Sequence, residues 1–173
     1  MNLHIPKHLK KCREVDITPQ ELIDFETNVK NLYEEGKIRG PIHLASNNED
    51  EVIEIFKYID KGDWVFAAWR NHYQALCHGV DSEKLLNSIV AGHSMGTNNL
   101  EPNFYASSIV GGIIPLALGA ALALKRKKSK NKVWCFIGDM TYETGGFHEC
   151  YKYAKNFDLP LVWVLEDNDM SVH

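Results

Sequence analysis

The chain has 173 residues, 45% of them hydrophobic, 24% charged and 10% aromatic, which fits a single globular domain with a sizeable core and excludes whole-chain disorder. Its net charge of −4 argues against a nucleic-acid partner, which calls for a basic surplus. Cys12, Cys77, Cys135 and Cys150 form no CxxC pair and no zinc-type spacing, so they read as reduced thiols of a cytoplasmic protein rather than a disulfide framework.

The first residues, MNLHIPKHLKKCREVD, are basic and lack the apolar stretch of a signal peptide. The longest apolar run, Ile109 to Leu124, has 16 residues with four Gly or Pro among them, below the ~20 that a spanning helix needs. It reads as protein interior, and no membrane partner is expected. Residues 1–20 read as an N-terminal extension to one domain over 21–173.

Thr18-Pro19-Gln20-Glu21 is a helix start: Thr as N-cap, Pro at the first position, Glu as capping-box partner. Leu22, Phe25, Val29 and Leu32 follow at helical spacing, and Gly36 ends the helix. A loop carries His43, and a second helix is predicted over Asn48–Tyr58. After the Gly62-Asp63 turn, Trp64–Trp69 reads as a short buried strand with Arg70-Asn71-His72 just past its end. Asp81–Ala91 reads as a helix, and Gly92–Ser108 as a polar loop long enough to be functional.

An Ala/Leu-rich helix runs to Leu124 behind Val110-Gly111-Gly112. The six basic residues of Lys125–Lys132 read as a solvated helix end, since cations favour helix C-termini. Val133–Ile137 is an apolar strand ended by Gly138-Asp139, Thr144–Phe157 a helix, and Leu161–Leu165 a second apolar strand ended by Glu166-Asp167-Asn168-Asp169. The strands are near-continuous apolar runs, as expected where helices cover both faces. The fold class is therefore α/β: a three-layer, doubly wound, mostly parallel sheet.

In such sheets ligands bind outside the carboxyl ends of the strands. Asp139 and Asn168 stand at two of these ends, and a carboxylate with an amide carbonyl suits Mg²⁺, which takes one or two carboxylates plus substrate phosphates. Gly138 lets backbone approach a phosphate closely. The same residues also serve as ordinary caps and turns, and spacing alone leaves both readings open.

Gly138-Asp139-Met140, 26 intervening residues, then Asp167-Asn168 resembles the thiamine-diphosphate fingerprint, Gly-Asp-Gly followed at this distance by Asn-Asn. Four ordered blocks are similar to the α subunits of thiamine-diphosphate-dependent 2-oxo acid dehydrogenases: GKIRGPIHL (Gly36–Leu44), GDWVFAAWRNH (Gly62–His72), IVGGIIPLALGAALALK (Ile109–Lys125) and GFHECYKYAKNFDLPLVWVLEDND (Gly146–Asp169). The resemblance implies the thiamine-diphosphate-binding fold in its diphosphate-binding half. It implies that Asp139, Asn168 and the Met170 carbonyl hold Mg²⁺, and that Gly138 and Met140 flank the cofactor diphosphate. Trp69 and Arg70 fall on an aromatic–Arg pair that contacts the diphosphate, Gly111 and Ile113 on the segment touching the aminopyrimidine, and His43 and His72 on active-site histidines. His148 and Glu149 are expected in structural or interface roles.

Three positions depart from the family pattern: Met140 replaces a glycine, Asp167 an asparagine, and Ser94-Met95-Gly96 stands where the family has Ser-Met-His. Family α subunits also continue well past the Asn-Asn motif, whereas the sequence here stops at His173. The implied activity is decarboxylation of a 2-oxo acid and transfer of the acyl or hydroxyalkyl group to an acceptor. It requires a β-type partner, in an α2β2 assembly, whose glutamate activates the aminopyrimidine. A carboligase acting on a ketone or sugar acceptor is the alternative, and a non-catalytic scaffold subunit the second. The Gly111–Ala123 helix is the candidate interface, since small residues admit close helix approach.

Overall fold

The computed structural model describes residues 3–45, 47–99 and 101–167. Its centre is a five-stranded sheet of order β2-β3-β1-β4-β5, formed by β1 (Trp64–Ala67), β2 (Asn98–Asn99), β3 (Phe104–Ala106), β4 (Val133–Gly138) and β5 (Leu161–Glu166). The pairs β1·β3, β1·β4 and β4·β5 are parallel, and only the short β2 runs antiparallel, against β3. The chain winds outward from β1 to β3, crosses back over β1 to β4, and continues to β5. The winding direction therefore reverses at β1, the place where parallel α/β sheets open a crevice beyond their strand ends.

Helices cover both faces, giving three layers. Beneath one face lie α1 (Pro19–Glu34), α2 (Glu49–Phe56), α3 (His72–His78) and α4 (Ser82–Val90). Beneath the other lie α5 (Ile113–Arg126) and α7 (Gly145–Asn156), with the one-turn α6 (Asp139–Tyr142) at the end of β4. The alternation of β4 divides the core: Trp134 and Phe136 pack with Leu22, Phe56 and Leu85, whereas Val133, Cys135 and Ile137 pack with Ile114, Ala117 and Phe147. Buried Asp63 pins the turn before β1, accepting from the Trp134 indole at 2.9 Å and the Lys132 amide at 2.7 Å.

Local signals explain most element ends. Thr18 and Glu21 form the full capping box of α1, and Gly36 leaves the helix at φ 72°. Asp81 and Thr144 cap α4 and α7 through their side chains.

Four features differ from the sequence reading. The first strand stops at Ala67, whose carbonyl takes the last rung from Ser107, so Trp69 and Arg70 lie beyond it. The helix α3 was not foreseen: all seven of its residues are buried, so it has no amphipathic stripe to read. Within the predicted loop 92–108, β3 forms through pairing to β1 and β2 through pairing to β3 rather than local propensity. Finally, β5 pairs only with β4 among the described residues and is half-buried, where coverage on both faces was expected.

The N-terminal residues pack onto the body: Leu9, Val15 and Ile17 join the first core cluster, and the Arg13 guanidinium donates to the Phe56 and Cys77 carbonyls at 3.1 and 2.8 Å. All four cysteines are free. No helix among the described residues is long and apolar enough to cross a membrane.

Candidate functional site

The candidate site comprises the residues just past the ends of the parallel strands β1 and β4. Beyond β1, Trp69 and Arg70 are half-buried beside the loop that carries His43. The His43 and Trp69 rings lie 5.9 Å apart and tilted, and Arg70 Nε donates to the Leu44 carbonyl at 3.1 Å. This bond fixes the stem of the guanidinium, and its terminal nitrogens make no hydrogen bond among the described residues. Partial burial and then the nearby Arg70 charge lower the His43 pKa from its ordinary 6.5, so the imidazole is neutral at pH 7. His43, Trp69 and Arg70 are thus brought together.

His72 stands elsewhere. It is fully buried, with Nδ1 2.9 Å from Glu26 Oε1 and Nε2 3.0 Å from Ser94 Oγ. The position that the resemblance gives to an active-site histidine is thus a core one in this chain. Both ring nitrogens are engaged, and the imidazole ties α1 and the 92–99 loop to the start of α3. Burial raises the Glu26 pKa, opposed by its bond to His72. Asn71 strengthens the same joint, its side-chain amide donating to the Trp69 and Ser94 carbonyls, each at 3.0 Å.

Beyond β4, Gly138 caps α6 and Asp139 opens it, half-buried. A Cβ on Gly138 would meet nothing within 4 Å, so the space before the strand end is open. Met140, expected at the diphosphate, is 64% exposed. Gly111 turns the chain into α5 at φ 73°, while the Ile113 side chain is buried in the second core cluster, leaving main-chain groups as its means of touching a ligand. Asn168 and Met170 lie outside the described residues. Asp167, the departure next to them, is exposed. Of the two further expectations on α7, His148 is exposed and packs its ring against Tyr142 and Phe147, and Glu149 is exposed.

Glu166 is the residue that sequence reasoning missed. It ends β5 in register with Gly138 and accepts from Gln74 Nε2 at 2.7 Å. Burial pushes its pKa up to about 7, with Gln74 and Arg70 pulling the other way. A carboxylate closing an otherwise apolar strand was the available signal. For Glu26 the signal was its place on the apolar stripe, four residues after Leu22 and three before Val29.

The donor set suits an anionic ligand with a divalent cation: one carboxylate at Asp139, an Arg fork at Arg70, and open main chain at Gly138. Among the described residues no three His, Cys, Asp or Glu side chains converge. A Mg²⁺ site completed by phosphate oxygens needs only one or two carboxylates. The chemistry present therefore fits a metal-bound diphosphate at the crevice.

The chain is 32% identical over 158 residues to the α subunit of acetoin:2,6-dichlorophenolindophenol oxidoreductase from Bacillus subtilis, covering 86% of this chain and 47% of that one. It is 27% identical to the pyruvate dehydrogenase E1 component subunit alpha of Porphyra purpurea, over 95% of this chain and 56% of the relative. With the mitochondrial type II counterpart of Ascaris suum it shares 31% identity, over 97% and 44% respectively. The chain thus spans about half the length of these relatives. The family model of the dehydrogenase E1 component matches residues 18–172, from the cap of α1 past the end of β5, and the chain belongs to that family.

Proposed function

We propose that this chain is an α-type subunit of a thiamine-diphosphate-dependent enzyme that decarboxylates a 2-oxo acid and passes the acyl or hydroxyalkyl group to an acceptor. The observation that carries the reading is that Arg70 and Gly138-Asp139 follow the ends of the adjacent parallel strands β1 and β4, in a chain that matches the family over residues 18–172. The Arg70 fork would pair with the diphosphate, helped by Trp69, and Asp139 would ligate Mg²⁺ together with Asn168 and the Met170 carbonyl. Bound there, thiamine diphosphate supplies a nucleophilic carbon and an electron sink.

The chain's own residues bind, orient and shield. Neutral His43 stands beside Arg70, where it can accept a proton or orient a substrate carboxylate. Glu26, His72 and Ser94 fix the start of α3, two residues after Arg70, to α1 and the 92–99 loop. The reaction needs a partner in this proposal, a β-type subunit whose glutamate activates the aminopyrimidine, in an α2β2 assembly. Supporting that partner is an exposed apolar surface on α5 and its approach: Ile109, Val110 and Leu116 are exposed, and Gly119 has open space around it. Four unpaired cysteines fit a reducing compartment, so a cytoplasmic location is part of the same proposal.

The test is a decarboxylation assay with a dye acceptor on the purified chain alone and mixed with a β-type subunit, each with thiamine diphosphate and Mg²⁺. Activity is expected only in the mixture. Turnover by the single chain would refute the need for a partner, and an inactive, non-associating mixture would refute the assignment.

A further inference from the structure

The side chains of the candidate site come from two separate stretches of chain: His43 from the loop before α2, and Trp69 and Arg70 from the turn after β1. Neither stretch is helix or strand, so the ladder of the sheet does not set their spacing. Yet the His43 and Trp69 rings lie 5.9 Å apart. A loop and a turn keep such a contact only where other groups tie them together.

The ties run through one peptide group and one carboxyl group. The Leu44 carbonyl accepts from Arg70 Nε at 3.1 Å. The same peptide carries the Ala45 N–H, which in a trans peptide points the opposite way. That N–H acts on the carboxyl of Glu26, a buried residue of α1. Glu26 Oε1 in turn lies 2.9 Å from His72 Nδ1, and His72 is two residues after Arg70. Arg70, the Leu44–Ala45 peptide, Glu26 and His72 thus close a ring of polar contacts, with the main chain from Arg70 to His72 as its covalent side. Ser94 Oγ on His72 Nε2, and the Asn71 amide on the Trp69 and Ser94 carbonyls, brace that side. The Tyr73 hydroxyl, which donates to Glu49 Oε1 at 3.0 Å, also interacts with Glu26.

Packing does not account for a glutamate here. Position 26 lies on the apolar stripe of α1 between Leu22 and Val29, both fully buried. Glu26 Oε2 is buried with no short hydrogen bond among the described residues. An apolar side chain of similar volume would fill this part of the core without the cost of desolvating a carboxyl group.

We infer that Glu26, from within the core, is a positioning residue of the candidate site: it ties the loop of His43 and the turn of Arg70 to one helix and so sets the distance between the two side chains. The tie follows from the contacts alone. Its use for an anionic cofactor rests on the proposed function.

Two measurements keep these parts distinct. Solution NMR of the full chain without ligand follows the His43 ring in wild type, Glu26→Leu, Glu26→Gln and Val29→Ala, the last trimming a core side chain of the same helix. Wild type is expected to show cross-relaxation between the His43 and Trp69 rings and a His43 midpoint below 6.5. Glu26→Leu is expected to lose the ring contact and to move the midpoint up toward 6.5, as the imidazole leaves its shielded place beside Arg70. Glu26→Gln, which keeps an oxygen acceptor for His72, and Val29→Ala are expected to retain both signatures. An unchanged contact and midpoint in Glu26→Leu, or an equal loss in Val29→Ala, overturns the tie. Should Glu26→Leu not fold, His72→Gln, which removes the imidazole bonded to Glu26, is read by the same criteria. The second measurement titrates thiamine diphosphate with Mg²⁺ into the assembled heteromer, where Glu26→Leu is expected to weaken binding about 10-fold and Val29→Ala less than about 3-fold. Wild-type affinity in Glu26→Leu overturns the role at the site. No binding by wild type refutes the proposed function instead, and the NMR result then decides the tie.

Discussion

At His72 and His43 the same side chain has two fates because burial differs. His72 has both nitrogens engaged and no solvent contact, so removing it strands Glu26 and Ser94 inside the core. His72→Ala is expected to cost about 1–3 kcal/mol in urea unfolding, and His43→Ala, at a half-buried site, less than about 1 kcal/mol. Equal losses would contradict the distinction. His78 gives a pH signature. Burial, aided by Arg13, lowers its pKa from 6.5 to about 4. Below about pH 6.5 the unfolded chain takes up a proton that the folded chain refuses, so stability falls as pH drops, and the fall ends near pH 4. The full effect is on the order of 3 kcal/mol. His78→Gln should flatten this acid limb relative to wild type in urea midpoints measured at pH 7 and pH 4.5; parallel curves would show that His78 titrates normally.

At the scale of elements, legibility tracked local chemistry. The capping box, the stop at Gly36 and the apolar runs of β4 and β5 were readable because Thr18, Glu21 and the strand residues act through near neighbours. Thr18→Ala is accordingly expected to cost about 1 kcal/mol in thermal or urea unfolding. The helix α3 was not readable. Its His-Tyr-Gln-Ala-Leu-Cys-His run mixes polar and apolar residues on every side, and only the finished core supplies Glu26, Ser94, Glu49 and Glu166 as partners. For the same reason the site was half legible: His43, Trp69, Arg70 and Asp139 carry motif positions, whereas Gln74 and Glu166 gain meaning from a contact 92 residues apart. Along α5, a Cβ on Gly119 meets nothing within 4 Å. Gly119→Leu should therefore leave the melting temperature of the isolated chain unchanged or higher, yet block assembly with the β-type subunit in size-exclusion chromatography. Normal assembly would move the interface elsewhere.

For the described residues as a whole, the two faces of the sheet carry separate cores. The face beneath α1–α4 is closed by a large core, while β5, α5 and α7 leave Leu165, Leu116, Tyr151 and Phe157 exposed. The central claim is that Asp139 and Arg70 make the crevice a metal-diphosphate site. Calorimetric titration of thiamine diphosphate, with and without Mg²⁺, into the heteromer carrying wild-type or Asp139→Ala chain tests it most directly. Wild type is predicted to bind saturably and only with Mg²⁺, and the variant to lose at least about 100-fold, since even groups that only orient a metal ligand are worth 10–100-fold. Equal binding by the two chains, or binding indifferent to Mg²⁺, would contradict it.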